Sequence, residues 1–498
     1  AAHVIGYVGE INDQELEDRA NKPKTYIRGS QIGKTGIERI YEDDLRGTPG
    51  RTVYEVDAEG RPVRVLEDQS RPPIPGDDVW LTIDITTQAH AEDLLAEALD
   101  AARKRRPTGN NPQNEATGGA VVVLDPRDGS VRAMASYPTY DPSDFVNGIS
   151  SERWGYLTDE ANNSPIKNRA IQEQYAPGST FKLISGYAAM AHGLRGPDTT
   201  FNDTGSFTLE ECSGQCTFRN AGSTPYGIVD MSRAMTVSSD AFFYSIGADF
   251  WRARGNLGEE AMQETARLFG LGQETGVPLP SEQSGRIPTP EQRKAQFDAN
   301  PGAFAERNWY TGDNVITAIG QGDVAVTPIQ LANAYATFAN GGTRYAPNIA
   351  LKVTRGGNED SVKRTFEPRI NGRIEFDPAY RQALLEGLIG VTTQPKGTAS
   401  GVFDGFPHDR YPIAGKTGTA QVGTPSNPKA APEYQVAVVM ESAGFGSRSA
   451  APVARKLFDV FSGATPPPTL QPGGALAWPE EAADQPTQDQ LAAQGGQD

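Results

Sequence analysis

Tyr175-Ala176-Pro177-Gly178-Ser179-Thr180-Phe181-Lys182 is the stretch that decides how this chain is read. Pro177-Gly178 breaks the backbone, and a strongly apolar helical pattern runs on to Gly193, so Ser179 falls at a helix N-terminus. Residues three apart share a helix face, which brings the Lys182 ammonium within reach of the Ser179 hydroxyl. A serine hydroxyl is a poor nucleophile at neutral pH and needs a base in contact. A lysine buried beside other cations loses enough basicity to serve. Amides at the helix terminus favour negative charge on an attacked carbonyl. Taken alone, the pattern is common by chance and reads first as a helix cap followed by a solvated lysine.

Two further motifs change the balance. Ser238-Ser239-Asp240 stands 59 residues on and precedes the apolar run Ala241-Phe242-Phe243-Tyr244. Ser and Asp are favoured helix caps, so a plain helix start is one reading. The other puts the Ser238 hydroxyl in a cleft as a proton shuttle to a departing amine, with Asp240 beside it on the substrate backbone or on Lys182. Lys416-Thr417-Gly418-Thr419 follows 178 residues later, between Ile413-Ala414-Gly415 and Ala420-Gln421-Val422, and reads as part of one strand. A lysine there binds the free carboxylate of a peptide end, and the glycine removes a side chain that would block a substrate along the strand edge. The Thr419 N–H would complete an oxyanion hole with that of Ser179. An edge strand guarded by lysine is the bland alternative. The order of the three motifs and their local contexts (turn–helix, helix start, strand) favour a catalytic serine whose proton is handled by lysines and hydroxyls.

Composition bounds the rest. The 498 residues allow a large domain and a smaller one, and a 37% apolar fraction says that most of the chain folds. A net charge of −17 and the absence of a basic stripe argue against nucleic-acid binding. The four histidines, His3, His90, His192 and His408, show no metal-ligand spacing and no serine–histidine triad, so neither metal nor cofactor is expected. Cys212-Ser-Gly-Gln-Cys216 reads first as a local disulfide in an oxidising compartment and second as half of a zinc site. No apolar run is long enough for a membrane span. The chain starts at Ala1 with a strand-like alternation through Tyr7, and we read it as a fragment whose N-terminal anchor lies outside this sequence.

Along the chain, strands are expected at Thr52–Val56 and 77–84, a helix over 86–105, and a hairpin of Gly119–Asp125 with Val131–Ser136 turning at Pro126-Arg127-Asp128-Gly129. Helical patterns cover 181–193, 232–253, 258–269 and 327–340. Strands return at 413–422 and 434–441, and a last helix spans 451–461. This order describes an α+β layered fold. Beyond Ser462, Pro, Gly, Gln and Ala dominate and no basic residue occurs, so disorder is expected there.

The nucleophile segment, Ala318-Ile319-Gly320-Gln321-Gly322 followed by Thr327-Pro328-Ile329-Gln330-Leu331-Ala332, and Ala450-Ala451-Pro452-Val453-Ala454 resemble the class B penicillin-binding proteins. Gly36-Ile37-Glu38 with Tyr41, and Leu81-Thr82-Ile83-Asp84, look like that family's non-catalytic pedestal. Asp240 in the second motif and the opening His3-Val4-Ile5-Gly6-Tyr7-Val8-Gly9 are most like the elongation-type penicillin-binding protein 2.

The resemblance implies a pedestal over 1–116, truncated at its start, a transpeptidase domain over 117–462, and a tail over 463–498. It implies a penicillin-binding/serine β-lactamase-like fold, with an antiparallel sheet flanked by helices plus a helical lobe. It also implies a D,D-transpeptidase on the outer face of the bacterial cell membrane. Ser179 would attack the penultimate D-alanine of a peptidoglycan stem peptide with Lys182 as base. Ser238 and Lys416 would relay the proton, Asp240 would assist, and Thr417, Gly418 and Thr419 would hold the substrate. β-Lactams would be trapped on Ser179, and a polytopic membrane glycosyltransferase of the elongation machinery would be the partner.

One departure stands out. Relatives carry a Trp-Phe-containing strand after the Lys-Thr-Gly strand, whereas here Gln421-Val422-Gly423 runs through Asn427-Pro428-Lys429 directly to Tyr434-Gln435-Val436. A sheet interrupted near 424–433 is therefore expected, and an impaired scaffold is one alternative function. The other is a β-lactamase of the same fold, against which stands the absence of a recognisable deacylation glutamate.

Overall fold

Five antiparallel strands make the sheet that sets the motifs: β1 (Gly119–Leu124), β2 (Val131–Tyr137), β3 (Ala414–Lys416), β4 (Gln421–Gly423) and β5 (Gln435–Met440), in the spatial order β3-β4-β5-β1-β2. The computed structural model describes residues 1–21, 26–105, 113–210, 212, 216–302, 306–418 and 433–463, and the backbone of 421–423, 469–470 and 476–477. The helices that position the site are α1 (Ile85–Lys104), α2 (Lys182–Ala191), α3 (Met231–Val237), α4 (Asp240–Leu257), α5 (Pro328–Ala339), α6 (Pro378–Thr393) and α7 (Gly446–Phe461).

β1 is apolar at every position because both of its faces are covered. Val121 and Val123 pack with Leu95 and Leu99 of α1 and with Leu457 and Phe458 of α7. Val122 and Leu124 face Ile329 and Ala332 of α5. The second large core lies in the helical lobe, where Phe181, Leu183 and Ile184 meet Met231, Met235, Phe242, Phe243 and Leu384. Each large side chain sealed there contributes about 2 kcal/mol of burial. Short strand pairs decorate this lobe, and a Cys212–Cys216 disulfide bridges the connection between Ser206–Thr208 and Thr217–Arg219.

The pedestal side consists of small strand pairs, Val8–Glu10 with Gln31–Gly33 and Tyr54–Val56 with Pro62–Val65. Asp78–Leu81 joins Ala350–Arg355 and Asn358–Thr365 in a three-stranded sheet, so a distant segment ties the two ends of the fold together. Ion pairs of Lys363 with Asp77 (2.6 Å) and Arg364 with Asp44 (2.7 Å) lie on that seam.

Several elements differ from the sequence reading. Ala2–Ile5 is a helical turn rather than a strand, because His3 and Val4 bury together and Gly6, at φ 84°, ends the turn. The helical pattern over 232–253 is two helices, parted where Ser238 takes a left-handed conformation (φ 57°, ψ 41°) and Ser239 caps α4 by accepting from Phe242 N. The strand expected over 413–422 folds back as a hairpin, with Lys416 opposite Gln421 and the turn starting at Thr417-Gly418.

The last helix begins at Gly446, ahead of its proline. Pro452 cannot donate to the Arg448 carbonyl, and the Arg105 guanidinium donates to it instead at 2.6 Å. The interruption expected near 424–433 falls on residues that, up to 432, lie outside those described. On either side the sheet is continuous, since β4 pairs with both β3 and β5. The expected disorder of the tail also falls outside the described residues, except that Thr469–Leu470 pairs with Leu476–Ala477.

Candidate active site

The nucleophile segment is clamped before it reaches the helix. Tyr175 and Val326 exchange both backbone hydrogen bonds at 2.9 Å. Gly178 N donates to Gly320 O (2.9 Å), the Tyr335 hydroxyl donates to Thr180 O (2.8 Å), and Ser185 Oγ donates to Ala318 O (2.7 Å). Gly320 is required here: at φ 68°, a Cβ would sit 2.4 Å from Gly178 O. The Ala318–Gly322 motif is thus the floor of the nucleophile turn, a role the sequence reading did not assign. Gly178–Phe181 forms one 3₁₀ turn leading into α2. Thr180, Phe181 and Lys182 are fully buried, while Ser179 stays partly accessible.

Lys182 turns across the groove to the second motif. Its Nζ donates to Asp240 Oδ1 (2.6 Å), Ser238 O (2.8 Å) and Ser238 Oγ (3.0 Å). The left-handed turn at Ser238 is what aims its carbonyl and hydroxyl at the lysine, and Asp240 follows as the first residue of α4. Among the described residues the Ser179 hydroxyl has no hydrogen-bond partner, so the direct Ser179–Lys182 contact expected from the spacing is not made in this state.

The third motif closes the groove from the sheet side. Lys416 Nζ lies 2.7 Å from Ser238 Oγ and 2.9 Å from Thr417 O. Gly418 passes so close to the nucleophile turn that a Cβ would sit 2.7 Å from Thr180 N and 3.1 Å from Ser179 N. The Thr417 hydroxyl pairs with that of Thr398, a second residue the sequence reading missed. Thr419 lies outside the described residues. The structure therefore brings Ser179, Lys182, Ser238, Asp240, Lys416, Thr417 and Gly418 together from three distant parts of the chain.

Both lysines are fully buried with one carboxylate between them. Burial lowers the proton affinity of Lys182, and Asp240 in direct contact opposes that. Lys416 is pushed well below the ordinary lysine range by burial and by the Lys182 charge, with Asp240 opposing from further away. Among the described residues no group of three His, Cys, Asp or Glu side chains could hold a metal ion.

A partly accessible serine at a helix start, a lysine one turn on, and a Ser–Lys pair across a groove between a helical lobe and a sheet edge form an arrangement suited to acyl transfer without histidine. Comparison with known proteins gives the family. The penicillin binding protein transpeptidase domain matches residues 119–459, and the penicillin-binding protein dimerisation domain matches residues 1–81. The peptidoglycan D,D-transpeptidase MrdA of Haemophilus influenzae is 33% identical over 485 residues, covering 92% of this chain and 68% of its own length.

Among solved structures, a peptidoglycan synthase complex described as coordinating polymerization and crosslinking has a chain superposing with a TM-score of 0.76 at 31% identity, over 94% of this chain and 75% of that one. Penicillin-binding protein 2 of Helicobacter pylori, solved with MreC, gives 0.72 at 26%, over 93% and 78%. The chain belongs to the class B penicillin-binding proteins and is most like the elongation-type penicillin-binding protein 2. It is a serine-type D,D-transpeptidase that cross-links peptidoglycan through an acyl-enzyme, and a β-lactam target. Among the described residues no helix is long and apolar enough to cross a membrane.

Proposed function

We propose that Ser179 is the nucleophile and that Lys182, Ser238 and Lys416 form a proton relay for it. One observation carries the reading: the Ser238 hydroxyl touches both buried amines, at 3.0 Å and 2.7 Å. Among the described residues Asp240 is the carboxylate in direct contact with an amine, and it touches Lys182, so the resting groove holds its proton on Lys182 in preference to Lys416. A stem peptide brings its terminal carboxylate to Lys416 and Thr417. That anion draws a proton to Lys416: Ser238 gives its own and takes one from Lys182.

The now neutral Lys182 accepts the Ser179 proton as Oγ bonds to the penultimate D-alanine carbonyl carbon. The C–N bond to terminal D-alanine then breaks, and its nitrogen takes a proton from Ser238, replaced from Lys416. An amine from a neighbouring stem reverses these transfers and leaves with the acyl group. The Ser179 N–H, at the start of the 3₁₀ turn, supports the oxyanion, and we assign its partner N–H to Thr419.

We further infer that the chain works at the outer face of the cytoplasmic membrane in cell elongation, alongside a polytopic membrane glycosyltransferase. The likeness to the solved synthase complex and to the Helicobacter pylori protein solved with MreC supports this, as does the disulfide, which suits an oxidising compartment. A fluorescent penicillin tests the chemistry. Labelling reaches one equivalent per chain and persists for many minutes in wild type, and is lost in Ser179→Ala. Fast multiple turnover of a chromogenic cephalosporin would instead identify a β-lactamase.

A further inference from the structure

Behind the second motif lies a buried carboxylate that the relay does not use. Asp203 ends the short strand Phe201–Asp203 and is 1% exposed. Its oxygens accept hydrogen bonds from Gly205 N (2.8 Å), from the Asn220 amide (2.9 Å to each) and from the Ser239 hydroxyl. Among the described residues no Lys, Arg or His pairs with it. Asn220, 4% exposed, reaches onward: its Oδ1 accepts from Ala241 N (2.8 Å) and its amide donates to Thr224 O (2.8 Å). Ser239 is fully buried, and its Oγ also accepts from Phe242 N (3.1 Å).

The network therefore grips the chain on both sides of Asp240, at Ser239 and at the Ala241 amide. It also immobilises the residue that follows Ser238, whose left-handed backbone is costly for a side chain with a Cβ and persists only where its surroundings hold it. Every partner of this carboxylate donates, so a neutral amide, which would turn an NH2 donor toward donors, could not replace it without losing at least one of these bonds.

We propose that Asp203, acting through Asn220 and Ser239, is a positioning residue that fixes the Ser238–Asp240 turn against Lys182 and lends the groove a second negative charge. The inference rests on Lys182 and Lys416 being the relay proposed above. The charged groups facing Lys182 are Asp240, Lys416 and Asp203, with the Phe243 ring 5.4 Å away, and Asp203 adds to the proton affinity of Lys182. Loss of its charge therefore does two separable things: it loosens the turn, and it makes the amine pair easier to deprotonate.

The experiment is the second-order rate of acylation by a fluorescent penicillin from pH 5 to pH 10, measured on the full chain. Asp203→Asn is expected to lower the maximum by about tenfold and to move the whole pH profile toward acid. Ser239→Ala, which leaves the carboxylate in place, lowers the maximum by roughly three- to tenfold with the profile unmoved. A maximum within about twofold of wild type in either variant overturns the inference. So does an Asp203→Asn profile that falls without moving, which a merely structural role would produce. If Asp203→Asn does not fold, as judged by circular dichroism, the smaller neutral variant Asp203→Ser is judged by the same two criteria. Wild type that fails to label at Ser179 overturns the proposed relay itself, a result distinguishable from labelled wild type with unaffected variants.

Discussion

The two walls of the groove each bury one lysine against the same hydroxyl, and they treat it differently. The helical wall gives Lys182 a carboxylate at 2.6 Å, a backbone carbonyl and a hydroxyl. On the sheet wall, Lys416 has among the described residues the Thr417 carbonyl and, across the groove, Ser238 Oγ, with a neighbouring ammonium pushing its proton affinity down further. The difference teaches where charge is free to change. The helical wall stores a proton, and the sheet wall waits for an anion, which the substrate carries at its own end.

Removing Lys182 breaks that contrast most completely. Lys182→Ala leaves Asp240 uncompensated and Ser179 without a base, and the acylation rate is expected to fall by about 10³-fold or more, read by stopped-flow labelling with a fluorescent penicillin. Lys416→Ala leaves the base in place and removes the site for the carboxylate, so a smaller loss of about 10²-fold is expected, with the larger part in binding. Gly418→Ala, which puts a methyl group 2.7 Å from Thr180 N, is expected to cost about tenfold or more in the same assay while lowering the melting temperature by roughly a few degrees.

The pH dependence sharpens the comparison. Both amines have lowered proton affinities, so wild-type acylation falls on the acid side as the second proton binds. Asp240 raises both, so Asp240→Asn shifts that acid limb to still lower pH while reducing the maximum. A limb that stays in place would mean that the carboxylate does not set the charge of the pair.

The smallest effect lies far from the groove. His3 is buried, its ring N–H donates to Pro165 O at 2.8 Å, and burial lowers its pKa to about 4. Between that value and the usual 6.5 the unfolded chain binds more protons than the folded one. This contribution to stability is therefore complete above pH 6.5 and is lost as pH falls toward 4, by about 3 kcal/mol. In denaturant titrations, His3→Gln is expected to show a shallower loss of stability between pH 7 and pH 4.5 than wild type.

Much of the site was legible because its chemistry sits in short, ordered motifs with strong local punctuation. Pro177-Gly178 announced the nucleophile turn, and the Gly119–Asp125 hairpin announced the sheet. What stayed hidden depends on contacts distant in sequence. The Ser-Ser-Asp run could be read as a helix start, but nothing local shows the left-handed backbone of Ser238, because the next residue, Ser239, is held by Asp203, far upstream. Thr417-Gly418 reads as strand interior by alternation, yet the chain turns there against the back of Ser179 and Thr180.

The strands Ala350–Arg355 and Asn358–Thr365 left only a weak signal, the Gly356-Gly357 turn, because the exposed hairpin strand carries charge on both faces. Gly320 and Gly322 did carry a readable signal, since paired glycines beside a hallmark motif imply a close backbone approach. The partner of Gly320, Gly178, became visible only in the fold.

The central claim is that a hydroxyl at position 179 becomes reactive through two amines that share the hydroxyl of Ser238. Its most direct test is intact-mass analysis after brief exposure to benzylpenicillin, with the modified peptide mapped. The account predicts a single penicilloyl group on the peptide containing Ser179, greatly slowed in Ser238→Ala. An unmodified chain, or a group attached elsewhere, would contradict it.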